Sequence, residues 1–346
     1  AIRRQRQMCI RDRVFHEKLT QDQAQSFLCN ALQEHFRQYN GWDTSREYQI
    51  RISAKGRVLC SRKAIPNQAP RAVQSHNRKK RYLLEEGMVI QPLVDLGIFT
   101  KEGKVIHAMY DKYKQINRFL EMVDDVSDNL PRQRPLRVID FGCGKSYLTF
   151  ILYYYLTVIK KREVQMVGLD LKADVIEKCN QTARKYGYDG LHFELGDING
   201  YQLAGEVDLV ITLHACDTAT DYALFNAVSW GARVILSVPC CQHELNGQIQ
   251  SEQFSILTRY GIVKERAASL MTDAIRANLL ECCGYKTQLL EFIDLAHTPK
   301  NILIRAVKRA PSQRAPAGVL EETESLMEEF LLHPTLYRLL KEAGRI

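Results

Sequence analysis

Leu136-Arg137-Val138-Ile139-Asp140-Phe141-Gly142-Cys143-Gly144-Lys145-Ser146 runs from apolar residues into an acid, with glycines two and four positions after that acid. The apolar run reads as a buried strand, and the glycines let the backbone turn sharply at its end and approach a ligand closely. Two phosphate-binding alternatives fail on single residues. A dinucleotide fingerprint, G-x-G-x-x-G, wants its third glycine where this chain has Tyr147, and a P-loop, G-x-x-x-x-G-K-[ST], wants a glycine where it has Ile139. Nicotinamide binding and ATP hydrolysis are therefore disfavoured.

The neighbouring segments agree with one another. Val167-Gly168-Leu169 ends in Asp170, an acid placed to accept hydrogen bonds from both hydroxyls of a ribose. Leu191-His192-Phe193-Glu194-Leu195 is followed by Gly196-Asp197-Ile198, which offers an acid for an adenine amino group and an apolar side chain for the ring. Residues 207–213 and 232–238 read as buried parallel strands. Helical patterns over 174–185 and 218–228 lie between the strands, so the chain alternates β-α-β-α. That predicts an α/β fold with a right-handed parallel sheet and a ligand at the carboxyl ends of its strands. Asp140, Asp170, Asp197 and His214 fall at those ends, one per consecutive strand. With Cys143 inside the turn and Leu171 after the second acid, the candidate cofactor-binding residues are Asp140, Gly142, Cys143, Gly144, Asp170, Leu171, Asp197, Ile198 and His214. This set favours S-adenosylmethionine as the ligand.

A chain of 346 residues with 45% apolar residues can bury one large core or two modest ones. No apolar stretch reaches the roughly 20 residues of a membrane helix, so no membrane association is expected. The longest, 147–159, suits the first helix of the cofactor-binding unit. Ten cysteines without regular spacing, and no signal peptide, point to a reducing cytoplasm. Met8-Cys9-Ile10-Arg11-Asp12-Arg13 looks like the translated end of a transposon adaptor used in sequencing libraries, so 1–13 are set aside as an artefact. Those residues carry five arginines and one aspartate, and the formal net charge of +8 falls to +4 without them.

What remains of the positive charge is local. Residues 46–81 hold eleven Lys and Arg against the single Glu47. Tyr48, Ile50 and Ile52 alternate with polar residues, Ala54-Lys55-Gly56 can turn, and Val58 and Cys60 alternate again, which predicts a small hairpin with a cationic face. His76-Asn77-Arg78-Lys79-Lys80-Arg81-Tyr82 then sets four consecutive cations beside an aromatic, a composition suited to phosphates and a stacked base. RNA is the expected partner. The domain reading is a basic α+β region over 14–100, a cofactor-binding domain over 101–309, and a linker with C-terminal helices over 310–346. Within the domain, 285–293 and 301–307 read as an antiparallel edge pair, with His297 and Lys300 in the connection as minor acceptor contacts. The acidic tail suits docking on the basic region or pairing with another chain.

The chemistry concentrates in two loops, His214-Ala215-Cys216-Asp217-Thr218-Ala219-Thr220-Asp221 and Pro239-Cys240-Cys241-Gln242-His243-Glu244-Leu245. The candidate catalytic residues are His214, Asp217, Cys240, Cys241 and His243. Methyl transfer from a sulfonium needs an in-line nucleophile held close in a dry pocket, with a base to help. In one reading these residues shape the acceptor pocket, and His214 or His243 takes a proton. In a second, Cys240 or Cys241 attacks C6 of a pyrimidine so that C5 accepts the methyl. In a third, His214, Cys216, Cys240, Cys241 and His243 bind zinc; adjacent cysteines lack the usual C-x2-4-C spacing, and no metal is expected.

Together the Asp140–Ser146 stretch, Leu213 with the His214–Asp221 loop, and Pro239-Cys240-Cys241-Gln242-His243-Glu244 resemble the bacterial class I S-adenosylmethionine-dependent methyltransferases. Their relatives include glutathione-S-transferase C-terminal-domain-containing proteins and, more distantly, a tRNA 2'-O-methyltransferase family with its own Cys-Cys-His element. The likeness runs from about Asn77 to Lys308. It implies a Rossmann-like seven-stranded sheet, S-adenosylmethionine as cofactor and RNA as acceptor, with Asp140, Gly142, Gly144, Asp170 and Asp197 at donor-binding positions. Those relatives often carry glycine where this chain has Asp217.

Overall fold

The computed structural model describes residues 3–8, 14–42, 45–53, 56–64, 82–144, 146–201, 205–213, 215–292, 302–310, 312–313 and 316–346. The chain forms two compact units, 1–80 and 81–346.

In the first unit, β1 (Arg3–Met8) pairs antiparallel with β2 (Val14–Leu19). Helix Gln21–Glu34 follows, its start fixed by a capping box in which Thr20 and Gln23 satisfy each other's backbone donors. A three-stranded antiparallel sheet completes the unit: β3 (Gln38–Trp42), β4 (Arg46–Ile52) and β5 (Val58–Ala64). The expected hairpin is β4–β5, and β3 adds a strand that the sequence reading did not contain. Its Asn40-Gly41 pair has the composition of a turn, yet both residues sit in register opposite Gln49 and Tyr48. Ala54-Lys55 and the run His76–Arg81 lie outside the described residues.

The second unit is built on seven strands: β6 (Leu136–Phe141), β7 (Val164–Asp170), β8 (Leu191–Leu195), β9 (Leu209–Thr212), β10 (Val234–Ser237), β11 (Tyr285–Glu291) and β12 (Ile302–Lys308). Their spatial order is β11-β12-β10-β9-β6-β7-β8. β6 to β10 run parallel, while β12 pairs antiparallel with both β10 and β11. This is the Rossmann-like class I arrangement, and its strand order reverses between β6 and β9, where such sheets open a ligand crevice at their carboxyl ends.

Alternation along each parallel strand sends side chains to two helical layers. Val138, Met166 and Ile211 join the core formed with helices Tyr110–Asp125, Tyr147–Tyr154 and Ala173–Tyr186. Ile139, Phe141, Val210 and Ile235 face the other layer, with helices Thr218–Ser229 and Gly261–Cys282. The division between units falls at 80, and Leu84, Ile90, Leu93 and Ile98 are fully buried in the core of the second unit. Lys112 lies over the Tyr147 ring at 4.4 Å, and Lys114 pairs with Asp111 at the surface.

Two features differ from expectation. Helix Gly261–Cys282 was not anticipated, because it buries Asp273 and Arg276 as well as apolar residues, which blurs the stripe that marks a one-sided helix. The tail helices Val319–Glu329 and Thr335–Glu342 pack within their own domain, burying Met327, Phe330, Leu336 and Leu340 in the second layer. Acidic composition suggested a basic partner, but the apolar stripe decides the docking. No helix among the described residues is long and apolar enough to cross a membrane.

Candidate active site

The glycine turn after β6 is held from several sides. Gly142 and Gly144 have φ of +65° and +52°, and Ser146 has +57°, all in the left-handed region that favours glycine. The Cys143 N–H donates to Leu169 O at 3.0 Å and the Gly144 N–H donates to Asp170 Oδ2 at 2.9 Å, so the turn is anchored to the end of β7. A Cβ at Gly144 would meet nothing within 4 Å. Glycine is needed there for its backbone conformation, and the space above it is open.

Asp140 is buried, and its carboxylate accepts from the Thr149 hydroxyl at 2.5 Å. Burial pushes its pKa up to about 7, against the smaller opposing effect of the Thr149 hydrogen bond. The hydroxyl facing this acid thus belongs to the chain itself, a partner the sequence reading missed. Asp170 accepts one backbone donor on each oxygen, from Gly144 at 2.9 Å and from Lys172 at 3.0 Å. A carboxylate has about four acceptor positions, so two remain for ribose hydroxyls. Leu171 beside it is 68% exposed, an apolar side chain at a strand tip. Asp197 is exposed and accepts from the Asn199 N–H at 3.0 Å, while Asn226 donates to Ile198 O at 2.6 Å and fixes that turn. Cys143 is buried between these segments, and burial pushes its thiol pKa up. His214 lies outside the described residues.

Beside this cradle, the hydroxyls of Thr212 at the end of β9 and Ser237 at the end of β10 are buried with no hydrogen-bond partner, as is Gln242 Oε1. Thr212 and Ser237 are register partners, so the two hydroxyl-bearing residues sit side by side at adjacent strand ends. Such groups are costly unless something satisfies them. S-adenosylmethionine fits the arrangement: an open glycine cradle, an acid with spare acceptor positions, and an exposed apolar side chain beside it.

The loops after β9 and β10 are tied together by groups that the sequence did not reveal as partners. Asp217 has φ +53° and ψ −123°, a backbone state natural to glycine. Holding aspartate there costs about 1–3 kcal/mol. Its side chain accepts from the Glu244 N–H at 3.1 Å, and its carbonyl accepts from Arg276 Nη2 at 2.9 Å. Asp217 is thus a positioning residue, joining the loop after β9 to the helix His243–Gln248. Arg276, buried, clasps Asp221 with donors at 3.0 and 2.7 Å. Asp273 accepts from Gln242 at 3.2 Å, and burial pushes its pKa up to about 6 even with Arg276 beside it. Glu244 accepts from both the backbone and the hydroxyl of Thr335, at 3.1 and 2.6 Å, so the tail clamps this helix. His243 is exposed at the helix start.

Three sulfurs meet between the loops. The Sγ atoms of Cys216, Cys240 and Cys241 all lie within 4.8 Å of one another, with Cys216 and Cys240 at 2.9 Å. Burial first, then its two sulfur neighbours, pushes the Cys240 thiol pKa well up.

Residues 111–248 match the model of a family described as a methyltransferase domain. Among solved structures, coclaurine N-methyltransferase bound to N-methylheliamine and SAH aligns at 15% identity over 35% of this chain and 35% of that one, with a TM-score of 0.27. The CMeT domain of the citrinin polyketide synthase aligns at 16% identity over 57% of this chain and 54% of that one, with a TM-score of 0.37. Magnesium protoporphyrin IX methyltransferase from Synechocystis PCC 6803, with bound SAH, aligns at 18% identity over 60% and 89%, with a TM-score of 0.33. The chain thus spans about a third and about half of the first two of these structures. No curated protein matches the chain.

Proposed function

We propose that this chain, with its methyltransferase domain, is a cytoplasmic S-adenosylmethionine-dependent methyltransferase whose acceptor is RNA. The observation that carries the acceptor is a groove of about 590 Å³ on the sheet of the first unit, lined by Tyr39, Trp42, Tyr48 and Arg62 among others. Trp42 is 57% exposed, and Arg46, Arg51 and Arg57 are exposed elsewhere in the same sheet and its turn. An exposed aromatic and half-buried tyrosines in a sheet that also carries exposed cations suit single-stranded nucleic acid, which takes a π-face for a base and a charge for a phosphate. The resemblance of the Cys-Cys-Gln-His element to that of a tRNA 2'-O-methyltransferase family points the same way.

Bound in the cradle, S-adenosylmethionine supplies an electrophilic methyl on sulfur. Asp170 would hold the ribose through its spare acceptor positions, Leu171 and Ile198 would flank the adenine, and Asp197 would accept from its amino group. Asp140 and the glycine turn would seat the amino acid end. The chain's remaining task is to hold the acceptor atom in line and exclude water, worth up to about 7–11 kcal/mol of the barrier in well-oriented systems. His243 is the described residue suited to receive the acceptor's proton.

The test is label transfer from S-[methyl-³H]adenosylmethionine by the purified full chain into total cellular RNA and into total protein, followed by nucleoside mass spectrometry. Label in one RNA nucleoside is expected, and Trp42→Ala with Arg62→Ala should weaken RNA binding by roughly 1–3 kcal/mol for a lost stack. Label confined to protein would sink the RNA acceptor while leaving the methyltransferase reading in place.

A further inference from the structure

We propose that Cys216, Cys240 and Cys241 form a zinc site with three thiolate ligands and an open fourth position. Their sulfurs lie within 4.8 Å of one another, and no two of the three come from a C-x2-4-C segment. Two neighbouring strands supply them instead. β9 and β10 are parallel and in register at Thr212 and Ser237, and the Val238 N–H still donates to Thr212 O at 2.8 Å beyond the last pair. Cys216 follows Thr212 by four residues and Cys240 follows Ser237 by three, so both loops return their sulfurs to the same level.

The approach is enforced by the surroundings. Asp217, next to Cys216, is held by the Glu244 N–H and by Arg276, while Gln242, next to Cys241, is held by Asp273. These ties fix both loops on either side of the cluster. A thiol is a weak donor and a weak acceptor, so three neutral thiols gain little from being held together. A divalent zinc ion changes the balance by displacing three protons and binding three thiolates at about 2.3 Å, which in a tetrahedron puts the sulfurs about 3.8 Å apart. That edge lies within the 4.8 Å envelope, and the Cys216–Cys240 pair, at 2.9 Å, would open by about 0.9 Å to take the metal. Cys216 is exposed and the other two are half-buried, which leaves an entry path and room for water at the fourth position. Three protein ligands and one open place are the pattern of zinc sites that act on a substrate. The metal would tie the loop after β9 to the loop after β10 on the acceptor side of the donor cradle.

The competing chemistry is oxidation. The 2.9 Å between Cys216 and Cys240 is longer than the roughly 2.05 Å of a disulfide, but peroxide could take two electrons from this pair and form one. The experiment separates the two. The reduced, chelator-stripped full chain is titrated with zinc chloride, and in parallel with cobalt(II), whose thiolate charge-transfer and tetrahedral d–d absorptions report the ligands directly. One equivalent of metal is expected, with each of Cys216→Ser, Cys240→Ser and Cys241→Ser weakening binding at least ~100-fold, the upper end of what loss of an outer-shell partner does. Cys29→Ser, in the first unit, should bind as the parent does. Should a variant fold poorly, iodoacetamide mapping of the unmutated chain reads the same site: zinc should protect Cys216, Cys240 and Cys241 and leave Cys29 reactive. No stoichiometric metal, equal alkylation with and without zinc, or a Cys216–Cys240 disulfide in a chain that takes up no metal after reduction would overturn the proposal. Metal content is read directly, so the result does not depend on what the acceptor is.

Discussion

The two ends of the parallel strands β6 to β10 are built to opposite rules. At the amino end, Asp208 is fully buried and fully partnered: Arg134 grips both oxygens at 2.7 and 2.8 Å, and the Arg137 N–H adds a third bond at 3.0 Å. At the carboxyl end, Asp140 has its Thr149 bond, while the neighbouring hydroxyls of Thr212 and Ser237 are buried without a partner. Arg134 is charged and bidentate, so the first arrangement is strong and specific. The second keeps polar groups dry and unsatisfied, which a fold tolerates where a ligand completes the bonding. The comparison teaches that burial alone does not mark a site; unfinished hydrogen bonding counts where it falls at the carboxyl ends of parallel strands, whereas the buried Tyr155 Oη, also without a hydrogen-bond partner, lies elsewhere.

The hardest test of that contrast is Asp208→Ala. Arg134 can turn to solvent once the buried carboxylate is gone, so the expected loss is that of charged hydrogen bonds and of the Arg137 N–H partner, about 1.5–3 kcal/mol in urea unfolding. Donor affinity of the fraction that stays folded should be unchanged in calorimetry. A loss of donor binding without a loss of stability would mean that the amino end is not a purely structural device.

At the other end, Asp170→Ala should reverse the pattern. Donor binding is expected to weaken by about 1–3 kcal/mol, since hydrogen bonds to a charged group are lost, and the urea midpoint should move less than for Asp208→Ala. Calorimetry with S-adenosylhomocysteine measures the first quantity, and unchanged affinity would remove Asp170 from the donor site.

The smallest expected effect is a change of pH dependence at Asp140. Burial raises its pKa from the ordinary carboxylate range to about 7, so the folded chain holds a proton there that the unfolded chain releases near pH 4. Its contribution to stability is therefore lost as pH rises from about 4 through about 7. Asp140→Asn cannot ionise, and the difference in stability between pH 5 and pH 8 should shrink. Asp273, raised to about 6, acts in the same direction in both proteins and cancels in the comparison. An identical pH difference in parent and variant would show that Asp140 does not titrate in this range.

The parallel strands were legible because each holds a short apolar run, closed by an acid or glycine in β6, β7 and β8 and by a hydroxyl residue in β9 and β10. The acids at the strand ends were legible too, since Asp140 and Asp170 interrupt those runs at their ends and Asp197 follows one by two residues. Helix Gly261–Cys282 escaped because Asp273 and Arg276 point inward to Gln242 and Asp221, and a buried polar residue reads from sequence as a solvent-facing one. Thr149, Thr212 and Ser237 escaped because hydroxyls are common everywhere, and only their neighbours make them informative. Spacing between adjacent cysteines told against zinc in the sequence, and it carries no information about Cys216, which lies 24 positions before Cys240.

Local chemistry in the chain was enough to specify the α/β alternation, the glycine turn and the acids after three consecutive strands. All of these are expressed over a few residues, through periodicity and the conformational freedom of glycine. Which groups complete one another was decided by tertiary structure alone: Asp208 with Arg134 across 74 positions, Glu244 with Thr335 across 91, and Cys216 with Cys240 across 24. Such pairings exist only after the strands have taken their order in the sheet. The energy of a buried polar or sulfur atom depends on what the fold brings next to it, and no run of adjacent residues contains that information.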